Sequence, residues 1–560
     1  MKPKSRAISD KKATANRKTS KKSNLPSVAY LCMEFAIDSS IKTYAGGLGI
    51  LAGDYLKGAK EGNYPVTGVG LKWKQGYTSQ SVDAHGQVVD AFKNHPYSKF
   101  EDTGKSVTVT IRQREVICRI WRSTAFGMSE LILLDTDHPD NPDNLITGQL
   151  YGWFGEERVA QEIVLGVGGV KALQTLGKEP DLYHFNEGHA VLAALELIRQ
   201  KRDQGMSLAE AKEATRKQCV FTTHTPIKEG NESHPHELLQ YMGANLGLSV
   251  EELHEIGGTP FNMTIAALRL TKATNAVAQL HAETAEKMWA EIRDRKPIIG
   301  ITNGIHRGTW VDSRIQKVKG SPDKLWKRHC ELKSDLIDFV KTRTGVSLDQ
   351  DRLLVGFARR AAPYKRSNLI FNAGKKVMDA LSAGKIQIVF SGKAHPNDDN
   401  GKRIVEEIYR YSRTMKDSVV FLQDYDMEIG AMLTRGCDVW LNNPRRPLEA
   451  CGTSGMKAAM NGVLNVSILD GWWPEACEHG LNGWAIGDEQ IAASDKPKAI
   501  AGQDKRDARF LADILLNEVV PTYYHDMDRW IQMMQQSMKT VTAKYSVEEM
   551  LKQYFKKLYT

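Results

Sequence analysis

Four cationic side chains lie within the eight residues Arg359–Arg366, just after the apolar run Leu353–Phe357. The forked donors of arginine suit the oxygens of a phosphate, and lysine adds a mobile point charge. A solvated basic loop would show the same composition, but the carboxyl end of a strand is where α/β sheets place their binding sites. The position therefore favours a phosphate site over a solvated loop.

A second candidate for chemistry is Lys457, which ends the run Asn442–Lys457. This run follows a strand-like segment, is rich in Gly, Ser and Thr near its end, and leads into a helical pattern that begins around Met456. Small residues would let a phosphate approach the backbone N–H groups at the start of the helix. A lysine on the first turn could form a Schiff base with an aldehyde cofactor. The local pattern fits an ordinary surface lysine equally well.

A glycine-rich turn, Tyr44–Ala52, lies between the strand-like run Val28–Phe35 and a helical pattern that continues to Lys60. Strand, turn and helix in this order can present backbone N–H groups to an anion. Tight packing is the commoner reason for glycines at such a turn. The turn alone therefore gives only weak support to a second anion site.

The elements that must position these residues are short apolar strands that alternate with helices. The strand-like runs are Val28–Phe35, Leu182–Phe185, Val220–Thr223, Pro297–Ile301, Leu353–Phe357, Ile386–Phe390, Val419–Leu422, Val439–Leu441 and Val463–Ile468. This alternation predicts an α/β protein with parallel sheets. A charged helical stretch near 305–350 divides the runs into two doubly wound lobes.

The length of 560 residues is too great for one ordinary core, so two or more domains are expected. We expect a basic tail at 1–26, a first lobe at 27–310 and a second lobe at 311–520. The last segment, 521–560, is predicted to be helical, with a helix start at Ser546, and to pack back on the first lobe.

The net charge of +9 comes almost wholly from the tail, where nine Lys and Arg residues accompany a single acid, Asp10. Because the rest of the chain carries only +1, the charge does not indicate a nucleic-acid-binding face. The tail is nearly free of apolar residues, which predicts a disordered, solubilising extension. Contact with RNA or with an anionic surface is the alternative.

Several other classes of protein and site are disfavoured. Seven widely spaced cysteines without a C-x-x-C pair argue against a disulfide framework and a zinc module, and they fit a reducing cytoplasm. The chain shows neither an apolar stretch of roughly 18 residues nor the apolar segment of a secretory signal. We predict that His234-Pro235-His236 is a loop rather than a metal-binding pair. The pair Trp472-Trp473 is predicted to belong to the core or the cleft wall rather than to a sugar-stacking surface.

Together, these motifs resemble those of the α-glucan phosphorylases, the family of glycogen, starch and maltodextrin phosphorylases. The family pattern E-A-S-G-T-G-N-M-K contains the lysine that binds pyridoxal phosphate, and Glu449–Lys457 aligns with it. A second pattern, K-R-I-H-E-Y-K-R, aligns with Arg359–Arg366 and is identical at Arg360, Tyr364, Lys365 and Arg366. Further matches, in the order of the family, are Gly46–Gly49, His224–Thr225, Thr302–Ile305 and Ser391–Ala394.

The chain departs from the family patterns at a few positions. Cys451 replaces the serine of the lysine motif, Ser454-Gly455 replaces Gly-Asn, and Arg359 replaces a lysine. The sequence N-E-G-H at Asn186–His189 replaces the common N-D-T-H. These variants resemble the shorter prokaryotic branch of the family. Nothing before residue 27 resembles the regulatory N-terminus of animal phosphorylases, so allosteric control by nucleotide or phosphorylation is not expected.

The resemblance implies two Rossmann-like lobes of the glycosyltransferase B-type fold, with the active site in the cleft between them. It implies transfer of the terminal α-1,4-linked glucosyl unit of a glucan to inorganic phosphate, with retention, to give α-glucose 1-phosphate. The implied cofactor is pyridoxal 5'-phosphate, which acts in this family through its phosphate rather than as an electron sink. The expected partners are an α-1,4-glucan, phosphate and a second copy of the chain, without membrane or nucleic acid, in the cytoplasm.

The resemblance also assigns roles to individual residues. Lys457, Arg360, Lys365 and His224 are the expected catalytic residues, with Lys457 forming the Schiff base and the carbonyl of His224 facing the reacting sugar carbon. The cofactor phosphate is expected to be held by Arg359, Tyr425, Thr453 and Ser454. The substrates are expected to contact Gly47, Asn303 and Glu449, and no metal is expected.

Two other functions remain open from the residues alone. A glycogen or starch synthase-like transferase would use the same fold with a nucleotide sugar and would need no cofactor lysine. A catalytically silent protein that binds glucan or RNA through the basic tail is the alternative from another class. The preferred glucan length and the physiological direction are not indicated by the sequence.

Overall fold

The computed structural model of the protein describes residues 25–152, 154–318, 320–492, 494 and 496–560. The predicted basic tail at 1–26 lies outside the described residues except for its last two. Within the described residues the chain forms two large sheets, mostly parallel and covered by helices, so the predicted α/β class is confirmed. None of the described helices is both long and apolar enough to cross a membrane.

The first sheet has nine strands in the order β13-β12-β9-β8-β1-β2-β7-β6-β5. Its neighbours are parallel except for the pairs β5–β6 and β6–β7 at one edge. The strands of this part of the chain, including those of two small two-stranded sheets, β3–β4 and β10–β11, are β1 (Val28–Leu31), β2 (Val66–Leu71), β3 (Ser79–Val82), β4 (Val88–Ala91), β5 (Glu101–Ile111), β6 (Arg114–Ser123), β7 (Leu131–Asp135), β8 (Leu182–Asn186), β9 (Cys219–Thr223), β10 (Ser233–His234), β11 (Phe261–Asn262), β12 (Ala273–Ala276) and β13 (Ile298–Gly300).

Helices cover both faces of this sheet. They are α1 (Gly47–Glu61), α2 (Glu156–Ile163), α3 (Gly169–Thr175), α4 (Leu192–Asp203), α5 (Leu208–Arg216), α6 (His236–Met242), α7 (Val250–Gly257), α8 (Met263–Leu270) and α9 (Gln279–Met288). A π-helical turn, Val164–Gly168, joins α2 to α3, and short 3-10 turns occupy Gly188–Ala190 and Lys228–Gly230. The central strands are buried along their whole length, which is why they read as continuous apolar runs in the sequence.

The second sheet has six parallel strands in the order β16-β15-β14-β17-β18-β19. They are β14 (Leu353–Ala358), β15 (Ile386–Ser391), β16 (Val419–Leu422), β17 (Val439–Asn442), β18 (Leu464–Ile468) and β19 (Gly483–Ile486). The order reverses between β14 and β17, and such a reversal leaves a crevice at the carboxyl ends of the two strands. Residues that follow β14 and β17 are therefore placed side by side.

Three helices separate the two sheets in the sequence, and further helices surround the second sheet. The separating helices are α10 (Arg307–Trp310), α11 (Ser313–Gln316) and α12 (Pro322–Thr344). The others are α13 (Lys375–Ser382), α14 (Asp399–Thr414), α15 (Met427–Gly436), α16 (Ser454–Met460), α17 (Pro497–Ile514), α18 (Val520–His525), α19 (Met527–Lys544) and α20 (Val547–Gln553). Short 3-10 turns lie at Pro363–Lys365, Leu369–Asn372 and Trp473–Glu475, and π-helical turns lie at Leu515–Val519 and Tyr554–Leu558.

The C-terminal helices divide between the two sheets. The tryptophan of α19, Trp530, stacks near Trp484 in the core of the second sheet. Helix α20 instead packs against α1, and its Val547 and Leu551 belong to the core on one face of the first sheet. The predicted helix start is confirmed, because the Ser546 hydroxyl accepts the N–H of Glu549 at the beginning of α20.

The hairpin β3–β4 reaches from the first sheet to the second part of the chain. The side-chain amide of Gln80 donates to the carbonyl of Ala394 at 3.1 Å and accepts its N–H at 2.8 Å. Asp90 pairs with Lys402 of α14 at 2.8 Å. The hairpin therefore joins the two halves at a distance from the helices that connect them in sequence.

Helix α1 leads away from the glycine-rich turn, and its close fit gives a stability test. A Cβ at Gly53 would overlap the backbone carbonyl of Ala36, whereas at Gly502 in α17 no atom of the described residues outside the helix backbone lies within 4 Å of such a Cβ. We expect Gly53→Ala to lower the free energy of unfolding by roughly 1–3 kcal/mol through overpacking. Gly502→Ala, as the matched control, should raise it by roughly 0.5–1 kcal/mol.

Chemical denaturation of both variants, with circular dichroism as the signal, would measure the two changes. Equal stability of the Gly53→Ala variant and the parent chain would contradict the close packing of α1 against the segment after β1.

Candidate active site

A cavity of about 480 Å³ lies between the two sheets, lined by residues from both. The eleven residues singled out from the sequence all line it: Gly47, His224, Asn303, Arg359, Arg360, Lys365, Tyr425, Glu449, Thr453, Ser454 and Lys457. They come from turns that follow parallel strands, which brings residues far apart in the chain to one crevice. The structure thus groups them in one place.

The glycine-rich turn after β1 is held by the buried carboxylate of Glu34. Its Oε2 accepts the N–H groups of Ala45 at 2.7 Å and Gly46 at 3.2 Å, and its Oε1 accepts the hydroxyl of Tyr151 at 2.6 Å. Helix α1 starts at Gly47 without a side-chain cap. Apart from adjacent residues and the backbone of α1, no atom of the described residues lies within 4 Å of the position of a Cβ on Gly46 or Gly47. The first amides of α1 therefore have room for an anion.

A carboxylate and two cations form the centre of the second-sheet wall. Glu449 accepts the ammonium of Lys365 at 2.7 and 2.6 Å, and Arg359 Nη2 lies 2.5 Å from Glu449 Oε2. All three side chains are buried. Burial alone would raise the pKa of Glu449, but the charges of Arg359 and Lys365 lower it to about 2. The cluster carries one net positive charge and so attracts an anion.

Arg360 is the cation of this wall that points into open space. Its side chain is exposed within the cavity, and among the described residues no carboxylate lies within 4.0 Å of it. Desolvation acts to lower the pKa of Arg360, but the neighbouring Tyr364 and Tyr77 outweigh it, so the pKa lies above its ordinary value. Arg360 therefore stays charged and has donors free for a ligand.

Lys457 lies on α16, which begins at Ser454, two residues earlier than the sequence pattern indicates. Its side chain is buried, and the Nζ atom lies 3.3 Å from the centre of the Trp310 ring. Burial lowers the pKa of Lys457 to about 8, although Asp54 opposes this shift. Among the described residues it forms no ion pair. An amine in this state reaches its neutral, nucleophilic form near physiological pH.

The turn before α16 is shaped by its small residues. Gly452 has a φ of +83°, a conformation that favours glycine, and Arg359 Nη2 lies only 3.5 Å from the position of a Cβ on it. The Ser454 hydroxyl accepts the indole N–H of Trp440 at 3.2 Å. The replacement of Gly-Asn by Ser454-Gly455 is therefore accommodated by a hydrogen bond to the core.

The first-sheet wall presents His224 and Asn303. The N–H of His224 and the hydroxyl of Thr225 donate to Glu187 Oε2 at 2.9 and 3.0 Å. Burial lowers the pKa of His224 to about 3, so its ring stays neutral at physiological pH. Within the described residues the buried Oδ1 of Asn303 has no hydrogen-bond partner. Such an unpaired acceptor is suited to a ligand hydroxyl.

Sequence reasoning missed several residues that shape this cavity. Glu34 is a carboxylate inside an apolar strand-like run, and this contrast in the sequence could have identified it as a buried polar residue of the site. Asp470 accepts the N–H of Glu449 at 2.9 Å, and burial together with the charge of Glu449 raises its pKa to about 7. Asp54 and Trp310 adjoin Lys457. The sequence around Asp54, Trp310 and Asp470 contains no pattern that indicates a role in the cavity.

The histidines of His234-Pro235-His236 point to different partners. His234 Nε2 lies 2.9 Å from Glu162, whereas His236 Nε2 lies 2.8 Å from the carbonyl of Gly258. Glu162, Glu232 and His234 have atoms that could bind a metal within 4.8 Å of one another. Because Arg158 pairs with Glu232, this cluster already contains opposite charges that compensate each other. Trp472 and Trp473 are both buried, as predicted for core residues.

Comparisons with known proteins agree with this arrangement. Residues 313–480 match the sequence model of the family described as carbohydrate phosphorylase. The chain is 36% identical to a maltodextrin phosphorylase of Thermococcus litoralis, with 95% of this chain and 70% of that protein covered. It is 35% identical to a glycogen phosphorylase of Aquifex aeolicus, with 95% and 86% covered. It is 33% identical to a glycogen phosphorylase of Mycobacterium tuberculosis, with 95% and 70% covered.

The paired cluster at Glu449 predicts how stability depends on pH. The pKa of Glu449 is about 2 in the folded protein against 4.5 for a free side chain. A lowered pKa stabilises the fold above about pH 4.5, and this contribution, about 3 kcal/mol, is lost as the pH falls towards 2. Glu449→Gln should therefore show a shallower loss of stability across this range.

Urea denaturation between pH 2 and 5 would measure this difference, with the exposed Glu213→Gln as the control. A Glu449→Gln variant that loses stability as steeply as the parent chain would contradict the assignment of the charged cluster.

Proposed function

The chain belongs to the carbohydrate phosphorylase family, and from this premise we propose that it is an α-glucan phosphorylase. It transfers the terminal α-1,4-linked glucosyl unit of a glucan to inorganic phosphate and gives α-glucose 1-phosphate with retention. The observation that carries this proposal is that a buried lysine of lowered pKa, Lys457, shares one cavity with the cations of Arg359, Arg360 and Lys365. The similarity to a maltodextrin phosphorylase and to glycogen phosphorylases supports the same activity.

We describe the fold as two Rossmann-like, doubly wound lobes of the glycosyltransferase B type, with the site in the cleft. The order of the second sheet supports this description, because it corresponds to the order 3-2-1-4-5-6 of such folds. In the first sheet, β1 and β8 are neighbours, and further strands are added towards one edge beyond β1 and towards the other edge beyond β8. Gly47 follows β1 and Glu187 follows β8, so the cavity lies at both reversal points.

The residues present fit pyridoxal 5'-phosphate. Lys457 Nζ is buried against an aromatic ring, has a pKa lowered to about 8 and forms no ion pair among the described residues, as covalent attachment to an aldehyde requires. Arg359, Tyr425, Thr453 and Ser454 line the same cavity and would hold the cofactor phosphate. When bound, the cofactor supplies a second phosphate group next to the substrate phosphate, as a source and acceptor of a proton.

The protein must then compensate two phosphate groups that lie close together. Arg360 and Lys365 hold the substrate phosphate, with the amide of Gly47 on the opposite wall. Preorganised cations and amides of this kind stabilise charge at little reorganisation cost. As an anion takes up the donors of Lys365, the carboxylate of Glu449 becomes free to accept hydroxyl groups of the sugar. The two substrates are in this way coupled through one ion pair.

The glucosyl unit contacts the remaining residues. Asn303 has an unpaired buried Oδ1 that can accept a sugar hydroxyl, and Glu449 adds a second acceptor. The backbone carbonyl of His224 faces the carbon that develops positive charge. Glu187 holds this loop through its bonds to His224 and Thr225. The site uses no pair of carboxylates flanking the bond, so the mechanism differs from that of glycosidases.

A nucleotide-sugar-dependent synthase on the same fold is the rival function. It has no use for a buried, unpaired lysine beside an aromatic ring, and the relatives give it no support. From the resemblance we further propose that the protein works as a homodimer in the cytoplasm, without control by nucleotide or phosphorylation. Light scattering of the purified chain tests the dimer.

Removal of the Lys457 amine tests the central assignment. Lys457→Ala should abolish both cofactor absorbance and the release of glucose 1-phosphate from maltodextrin and phosphate, because the attachment point is lost. The exposed Lys416→Ala should change neither. Full phosphorolysis by the Lys457→Ala variant would rule out the cofactor assignment, and transfer from a nucleotide sugar would favour the rival.

Truncation of Arg360 tests the phosphate site. Charge-assisted hydrogen bonds contribute about 1.5–3 kcal/mol, so Arg360→Gln should raise the KM for phosphate roughly 10- to 100-fold. The KM for maltodextrin should change much less. Initial rates at varied phosphate and fixed glucan would measure this, with the exposed Arg410→Gln as the control. An unchanged KM for phosphate would remove Arg360 from the site.

A further inference from the structure

Asp54 on α1 is a buried carboxylate without a direct cationic partner. Its side chain is 2% exposed, and among the described residues no cation lies within 4.0 Å of its oxygens. The indole N–H of Trp310 donates to Oδ1 at 3.0 Å and to Oδ2 at 2.8 Å, and the N–H of His306 donates to Oδ2 at 3.2 Å. A buried charge held only by neutral donors is costly, so a nearby positive charge must compensate it.

The ammonium of Lys457 lies over the face of the same Trp310 ring. Lys457 Nζ is 3.3 Å from the centre of the indole ring, while Asp54 binds the N–H at the ring edge. Donation of that N–H to a carboxylate increases the electron density of the ring face, and a cation is attracted to such a face. The indole therefore lies between two opposite charges that come from different parts of the chain.

The backbone of Trp310 is fixed independently of its ring. Asn461 donates to the carbonyl of Trp310 at 3.1 Å and to the carbonyl of Lys457 at 2.8 Å. Arg435 donates to the carbonyls of Trp310 at 3.1 Å and Thr309 at 2.9 Å. With the backbone held to α16, the bond to Asp54 determines the orientation of the ring. Asp54 thereby controls the surface against which the Lys457 amine lies.

Other charged groups near this end of the cavity are already engaged. Glu449 is neutralised by Arg359 and Lys365. Lys57, one turn after Asp54, donates to Thr309 at 3.1 Å, and burial lowers its pKa while Asp54 raises it. His306 contacts Glu61 at 3.0 Å, and Tyr425 is half-buried, with its pKa raised by desolvation to about 12. Among the described residues, Asp54 is the charged group whose field raises the pKa of Lys457 against the effect of burial.

We propose that Asp54 is a positioning residue for Lys457, which orients the Trp310 ring against Nζ and supplies the counter-charge of that buried ammonium. Burial lowers the pKa of Lys457 and raises the pKa of Asp54, and the charge of each residue opposes the shift of the other, as expected for a charge pair. The use of this arrangement, to present the amine to an aldehyde, rests on the proposed function. The charge pair itself exists without cofactor or substrate.

The test measures the protonation of Lys457 in the full-length chain after removal of any bound cofactor. Pulses of acetic anhydride at pH 6–10, followed by peptide mass spectrometry, give the pH midpoint of labelling at Lys457. Asp54→Asn keeps an acceptor for the Trp310 N–H and removes the charge, so the midpoint should fall by about one pH unit. Asp38→Asn, which removes a partly exposed charge just after β1, is the matched control and should leave it unchanged.

A second variant predicts the opposite sign. Lys57→Met removes a competing cation beside Asp54, so the midpoint at Lys457 should rise. An unchanged or raised midpoint in Asp54→Asn, or a lowered one in Lys57→Met, would overturn the proposal. Labelling needs neither cofactor nor glucan, so the experiment tests the proposal even if the chain has no phosphorolysis activity. Normal phosphorolysis with an unshifted midpoint would overturn this inference alone.

Discussion

The carboxylate of Glu449 holds Arg359 and Lys365 together, and the rest of the cavity depends on this ion cluster. Two like charges about 4 Å apart at a protein surface repel by about 4 kcal/mol, a large part of the net stability of a domain. The carboxylate between them converts this repulsion into attraction. Because the cluster keeps one positive charge and Arg360 adds another, the cavity can be folded and still attract anions.

The topology of the sheets explains why these charges meet. Arg359 follows β14 and Glu449 follows β17, which are neighbours in the second sheet although 80 residues separate them in sequence. The turn at Gly47 follows β1 in the first sheet and faces them across the cavity. Each wall thus contributes backbone amides or cations at a strand end. The site needs both sheets, because neither wall alone surrounds an anion.

The residues that follow apolar strands could be predicted from the sequence, and they account for most of the cavity. Arg359 and Lys365 lie in the turn after β14, and Lys457 lies in the first turns of α16, at positions set by local pattern and by the strands before them. Strands β2 to β7 were not predicted as separate elements. The polar strand β12 (Ala273–Ala276) was missed as well, because nothing in its composition distinguishes it from a loop.

The unpredicted site residues have a common physical reason. Asp54 sits in the middle of a helix, and Trp310 belongs to a short helix 256 residues away, so only packing brings them together. Glu34 and Asp470 act by accepting backbone N–H groups of turns, and a sequence does not reveal which turn a distant carboxylate will reach. Local chemistry is visible in sequence, whereas the groups that hold it in place are determined by long-range contacts.

The contacts that join the two halves differ in how readily they can change. Lys42 and Lys393, from opposite sides of the cleft, share Asp424 at 2.7 Å each, and Asp424 is about one-third exposed. Partly exposed ion pairs contribute little free energy and can exchange partners with water. The buried bond from Trp310 to Asp54 and the Glu449 cluster inside the second half cannot be broken so cheaply, because each would leave a buried charge without its partners. Adjustment of the cleft to its ligands therefore belongs to the Lys42–Asp424–Lys393 side, while the lysine and the cation cluster keep their positions.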